Sequence, residues 1–132
     1  MVDKLTKLKK IIFFLKDDMS NCIFCRIIAR ESPARIVYED GQLVVFHDIQ
    51  PQAPVHLLIV PKKHLASLQD MQMEDSELLG HLIFTARQTA EKQGLNQNGY
   101  RLVINNGRHG GQAIFHLHLH LLGGRPMHWP PG

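Results

Sequence analysis

Short blocks of apolar and polar residues follow one another from Arg35 onward, and their period changes along the chain. Ile36-Val37-Tyr38-Glu39 and Gln42-Leu43-Val44-Val45-Phe46 are rich in β-branched and aromatic residues and flank Asp40-Gly41, a pattern that predicts a hairpin. Pro51 and Pro54 interrupt the chain. A third β-rich run, Val55-His56-Leu57-Leu58-Ile59-Val60, stops at Pro61, which cannot donate to a ladder. The period then lengthens: Leu79, Leu82, Ile83, Ala86 and Ala90 share one helical face, predicting a helix over residues 75–93. Glu74, Asp75 and Glu77 suit its positive end, and Lys92 and Gly94 suit its exit. Two further β-rich runs, Tyr100 to Asn105 and Ala113 to Leu121, are separated by Gly107-Arg108-His109-Gly110-Gly111. Strands, a helix and strands again make an α+β domain with one core.

Composition narrows what such a domain can do. The 132 residues are 44% hydrophobic and 20% charged, which fits one folded domain and excludes a disordered chain. The net charge of +3 is carried wholly by Lys4, Lys7, Lys9 and Lys10 against Asp3, so residues beyond Lys10 sum to zero. A lysine arm alone binds phosphates non-specifically and loses affinity steeply with salt, so no specific nucleic-acid partner is expected. Ile11-Ile12-Phe13-Phe14-Leu15 is too short for a membrane span, which needs about 20 apolar residues. It runs into Lys16-Asp17-Asp18 with no small-residue cleavage site, which argues against export and for the cytoplasm. The expected organisation is an extension over residues 1–18, read as a short amphipathic helix or the product of a start codon upstream of Met19, before a domain over 19–132. Cys22 and Cys25 are too few for a disulfide framework; beside nine histidines they make half of a metal site in a reducing compartment.

The chemistry concentrates in Phe115-His116-Leu117-His118-Leu119-His120-Leu121. As a strand, this stretch would put Phe115, Leu117, Leu119 and Leu121 on one face and three imidazoles on the other. The first face is core. The second needs hydrogen-bond partners that an apolar core lacks, so it belongs in a polar site. Neutral imidazole is a nucleophile, and its protonated form is an acid near neutral pH. Zinc ligation is the competing use. Gly110 and Gly111 before the run would let the backbone approach phosphate oxygens closely.

With these residues assembled, the chain resembles the histidine triad superfamily, whose signature is His-φ-His-φ-His-φ-φ with φ apolar; His116 to Leu122 match it throughout. The resemblance extends to Phe46-His47-Asp48-Ile49, Pro51-Gln52-Ala53-Pro54, Pro61-Lys62-Lys63-His64 and the run Gly123-Gly124-Arg125-Pro126-Met127-His128-Trp129-Pro130-Pro131-Gly132, and is strongest to the nucleotide-binding branch that includes purine nucleoside phosphoramidases. It implies a five-stranded antiparallel sheet with one long and one short helix, pairing into a ten-stranded sheet in a homodimer. It implies no organic cofactor.

By the same resemblance, His118 attacks the α-phosphate of a nucleoside phosphoramidate and forms a covalent nucleotidyl-histidine. His120 binds phosphate and serves proton transfer, while Asn105, Gly111, Gln112, Ala113 and Ile114 line the phosphate pocket. Ile23, Phe24, Ile27, Phe46, His47 and Ile49 enclose the purine, and Asp48 accepts the ribose hydroxyls. Read without it, Ile23, Ile27 and Phe46 are plain core and Asp48 is a turn residue.

Two departures stand out. Members of this branch often carry serine where this chain has Ala113. Its well-known phosphoramidases also lack Cys22-x-x-Cys25, which in other histidine triad proteins binds structural zinc with two histidines, here expected to be His56 and His116. In metal-free relatives those two positions form a relay behind the nucleophile. The runner-up activity is hydrolysis of dinucleoside polyphosphates. A non-catalytic nucleotide-binding module is the reading of a different class.

Overall fold

The computed structural model describes residues 21–132, in two units that divide between Pro33 and Ala34. The expected extension over residues 1–18 lies outside the described residues. In the first unit, α1 spans Ile23–Ile28. Cys22 caps it, its Sγ accepting from the Cys25 amide at 3.3 Å. The helix ends where Arg30 turns left-handed at φ 62°, with Glu31 N–H bonding Arg26 O and Arg30 N–H bonding Ile27 O. This is the Schellman pattern, with arginine at the usual glycine position. Phe24 and Ile27 are buried.

The second unit holds β1 (Ile36–Glu39), β2 (Leu43–His47), β3 (Val55–Pro61), the long helix α2 (Ser76–Lys92), β4 (Tyr100–Val103) and β5 (Leu119–Gly123). The strands form one antiparallel sheet in the order β1-β2-β3-β5-β4. The hairpin turn sits one residue later than Asp40-Gly41: Asp40 N–H bonds Leu43 O, and Asp40 Oδ1 accepts from the Gln42 and Leu43 amides. Aspartate closes the turn with its side chain, so the bend centres on Gly41-Gln42.

Leu57 faces Leu121 and Ile59 faces Leu119 across the central ladder. These four residues, with Leu43, Val45 and Leu117, meet Leu82, Ala86 and Ala90 of α2 in the core. Each fully buried leucine contributes about 1.5–3 kcal/mol. Ile83, expected on the core stripe, is 45% exposed, because the helix turns Leu82, Thr85, Ala86 and Thr89 inward instead. Asp75 starts α2, where its carboxylate accepts from the Gln72 amide and pairs with Lys63 at 2.7 Å.

The last strand departs most from the sequence pattern. A strand was expected from Ala113, yet β5 begins at Leu119, so His116 and His118 lie on irregular chain and only His120 on the ladder. Two causes are visible. Extending the β3–β5 register past Ile59↔Leu119 would set Leu117 against Pro61, which has no N–H; and β4 ends opposite His120. The Leu117 amide goes to Leu65 O at 2.7 Å. Phe115, expected in the core, is 56% exposed as a result. Among the described residues, no helix is long and apolar enough to cross a membrane.

Candidate active site

Residues 61–66, from the last residue of β3 onward, cradle the irregular stretch before β5. Pro61 O accepts from His116 Nε2–H at 2.8 Å, His64 Nδ1 faces His116 Nδ1 at 3.1 Å, and Ala66 O accepts from Gln112 Nε2 at 2.7 Å. The three triad rings therefore do not form one row. His116, fully buried, turns to His64 with ring centres 4.8 Å apart, whereas His118 turns to His120 at 4.9 Å and His120 to His56 at 5.2 Å.

Neighbouring backbone groups fix each tautomer. The His118 Nδ1–H donates to His116 O at 2.6 Å, which puts the basic lone pair of His118 on Nε2. The Gln52 amide donates to His56 Nδ1 at 3.0 Å, so neutral His56 carries its proton on Nε2 and donates it to His120 Nδ1 at 2.9 Å. His120 in turn carries its proton on Nε2. Asp48 Oδ2 lies 3.4 Å from His56 Nε2, and its Oδ1 accepts from the Gln50 amide.

Burial holds these rings neutral. It lowers His118 against the pull of the His116 carbonyl and Asp48, and lowers His56 despite Asp48. His120 falls to about 4 by burial and then by its neighbours His118 and His56. His116 falls to about 4 by burial, opposed by the Pro61 carbonyl and reinforced by His64 and His118. Neutral imidazoles at pH 7 are competent nucleophiles and ligands.

The expected grouping of His56 with His116 is not the one the fold brings together: His116 faces His64 at 3.1 Å, and His56 faces His120 at 2.9 Å while its Nδ1 accepts the Gln52 amide. His116 is suited: Pro61 O orients its Nε2–H and leaves Nδ1 to ligate, the carbonyl-backed arrangement usual for metal-bound histidine. Two nitrogens on tetrahedral zinc stand about 3.3 Å apart, close to the 3.1 Å between His64 and His116. His64 belongs to the Pro61-Lys62-Lys63-His64 run, and its place three residues after the strand-ending proline is the signal the sequence offers for it. In the first unit, burial and adjacent Cys22 push the Cys25 thiol up to about 12.

Asn105 and Ile114 are half-buried, Gly111 and Ala113 exposed, and Gln112 buried. Gly110 has no room for a Cβ, which would meet Asn106 O at 2.6 Å, and Gly111 has φ +83°. The Gly111 and Gln112 amides bond back to Arg108 O and Gly107 O within the loop. Among the described residues, no backbone bond engages the Ala113 and Ile114 amides. Phe46 is buried, His47 and Asp48 are half-buried, and Ile49 is 93% exposed. On α1, Ile23 is 37% exposed, and Phe24 and Ile27 are buried.

Comparison with known proteins places this arrangement among relatives. Residues 21–128 match the family model described as scavenger mRNA decapping enzyme C-term binding. An uncharacterized HIT-like protein of Synechocystis is 56% identical over 110 residues, covering 83% of this chain and 96% of the relative. The crystal structure of a HIT family hydrolase from Legionella pneumophila has a TM-score of 0.83 at 54% identity, covering 85% of this chain and 100% of that one. A zinc-bound histidine triad family protein from Mycobacterium smegmatis has a TM-score of 0.70 at 29% identity, covering 81% of this chain and 77% of that one.

Proposed function

Because the chain belongs to the histidine triad (HIT) superfamily, we propose that it hydrolyses purine nucleoside 5′-phosphoramidates through a nucleotidyl-histidine formed on His118. The observation that carries this reading is the tautomer of His118, whose Nδ1–H is committed to the His116 carbonyl at 2.6 Å so that Nε2 is the attacking atom. That hydrogen bond also stabilises the positive charge the ring acquires when Nε2 bonds phosphorus. The hydrolase named among the relatives supports the reaction class.

In the first step the His118 Nε2–P bond forms and the P–N bond to the amine breaks. Serving proton transfer through its Nε2, His120 brings the amine the proton it needs to leave, while its Nδ1 keeps accepting from His56. In the second step water attacks phosphorus and gives up a proton along the same route, the Nε2–P bond to His118 breaks, and the nucleoside monophosphate leaves. His56, held by Gln52, keeps the His120 ring aligned. Asn105, Gly111 and the loop amides bind the phosphate. Phe46, His47 and Ile49, with Ile23, Phe24 and Ile27, contact the purine, and Asp48 contacts the ribose.

Zinc in this reading is structural. His64 and His116 are its imidazole ligands, and Cys22 and Cys25 are the thiolates the sequence offers to complete a closed tetrahedral set. It would supply rigidity around His116 and no catalytic water. A homodimer is part of the same reading: β4 is an edge of the sheet and so has a side open to pairing.

The deciding experiment compares adenosine 5′-phosphoramidates, an adenylyl mixed anhydride and a diadenosine polyphosphate on the purified protein. The phosphoramidates should give the highest kcat/KM, and rapid quenching should trap one nucleotidyl group on His118. Preference for the dinucleotide would move the chain to polyphosphate hydrolysis. Nucleotide binding with no turnover of any substrate would make it a binding module.

A further inference from the structure

We infer that Gln112 is a positioning residue for the proposed reaction: its side-chain amide shapes the Gly107–Ile114 loop and reaches the substrate only through that loop's backbone. This rests on the nucleotide reading above and changes the part the resemblance gave Gln112, that of a pocket-lining phosphate contact.

The side chain is 7% exposed and ties together three separate backbone points. Its Oε1 accepts the Gly107 N–H at 2.9 Å, and its Nε2 donates to Ala66 O at 2.7 Å and to Ile114 O at 3.0 Å. A carboxamide nitrogen has two hydrogens, and both are spent on these carbonyls. Nothing is left on Nε2 to give a phosphate oxygen, and Oε1 would repel one.

One planar group thus clamps the start of the glycine loop, its end, and the segment after β3. The same segment holds Leu117 through Leu65 O and His116 through Pro61 O. The loop therefore shares a backbone anchor with the triad. With Gly111 and Gln112 N–H turned inward, the amides of Ala113 and Ile114, which flank the Gln112 clamp and among the described residues carry no backbone bond, are open to an anion, and Gln112 sets where they stand. The Ile114 carbonyl is turned toward Gln112, which fixes the plane of the peptide after it.

Such a role predicts a defect that follows the phosphate and spares the nucleoside. The test compares AMP and adenosine affinities, and kcat and KM, for the wild type, Gln112→Met and Gln112→Glu. Met keeps the volume without the hydrogen bonds, and Glu sets a carboxylate against the two carbonyls. We expect each variant to lose at least about tenfold in AMP affinity and in kcat/KM while adenosine affinity stays within about twofold. Equal losses for both ligands, or none for either, would overturn the inference and leave the functional reading standing. A structure of the wild type with AMP gives an answer that does not depend on how the variants fold. Gln112 Nε2 should remain on the Ala66 and Ile114 carbonyls; a swing onto a phosphate oxygen refutes positioning. Failure of the wild type to bind AMP at all removes the functional reading and this inference together.

Discussion

His118 gives its Nδ1 proton to the carbonyl of His116, two residues before it, at 2.6 Å. The proposed nucleophile is thus oriented by the backbone of its own chain rather than by a carboxylate. His118→Ala should lower kcat by about a thousandfold or more while AMP affinity changes little. Turnover within tenfold of the wild type would remove His118 from the mechanism.

Metal content separates the two pairs of histidines. The protein purified without added zinc should carry close to one zinc per chain, His64→Asn should lose most of it, and His56→Asn should keep it. Elemental analysis of the three proteins reads this directly. Wild-type content far below one per chain ends the zinc proposal, and equal loss in both variants restores His56 as a ligand.

The loop residue Ala113 offers a methyl group where the resemblance to the phosphoramidase branch leads one to expect a serine hydroxyl. Ala113→Ser should change kcat/KM among amine leaving groups, with the adenosine part of the substrate held constant. The backbone amide at this position is kept, so the chemistry itself should persist. Identical kcat/KM for every amine would show that the side chain at 113 has no part in selecting the leaving group.

Asp40 joins the β1–β2 turn to α2, its Oδ2 accepting from Tyr38 Oη at 2.8 Å and His81 Nε2 at 2.7 Å. Burial alone would raise this carboxyl, but the Gln42 amide, His81, Tyr38 and the Leu43 amide outweigh it and hold it at about 2. A carboxyl lower in the folded than in the unfolded state stabilises the fold above its unfolded value of 3.8, and that stability drains away as pH falls toward 2. Asp40→Asn should cost about 1 kcal/mol near pH 6, the modest size reflecting solvent screening of a side chain that is 25% exposed. The gap in denaturation midpoint between variant and wild type should close between pH 4 and about 2. A gap independent of pH would place the effect in turn geometry rather than charge.

Association can be read from mass. A chain of 15.1 kDa that pairs through its β4 edge should sediment near twice that value. A species at the single-chain mass across micromolar concentrations would contradict the dimer.

Much of the fold was legible because β2 and β3 are short apolar, β-rich runs bounded by turn residues and prolines, and α2 carries the helical period. Leu43 to Phe46, Val55 to Val60 and the Leu82-Ala86-Ala90 stripe were placed by sequence alone, within a residue or two at their ends. The alternating run from Phe115 misled for a physical reason: alternation states which side chains could be buried together, while a strand also needs a neighbour that can donate. Pro61 withholds that donor, and the run bends away before Leu119. His64 and Gln112 were obscured for another reason. Their importance lies in which carbonyl or ring each one faces across the fold, and spacing along the chain does not encode that.

Placing His118 just outside the ladder and His120 just inside it has an evolutionary consequence. The sheet register from Leu119 onward can stay constant while exchanges at exposed loop positions such as Arg108, His109, Gly111 and Ala113 alter the loop before the triad. A lineage could thereby move from one leaving group to another through edits to a few surface residues, with the imidazoles kept on the same frame.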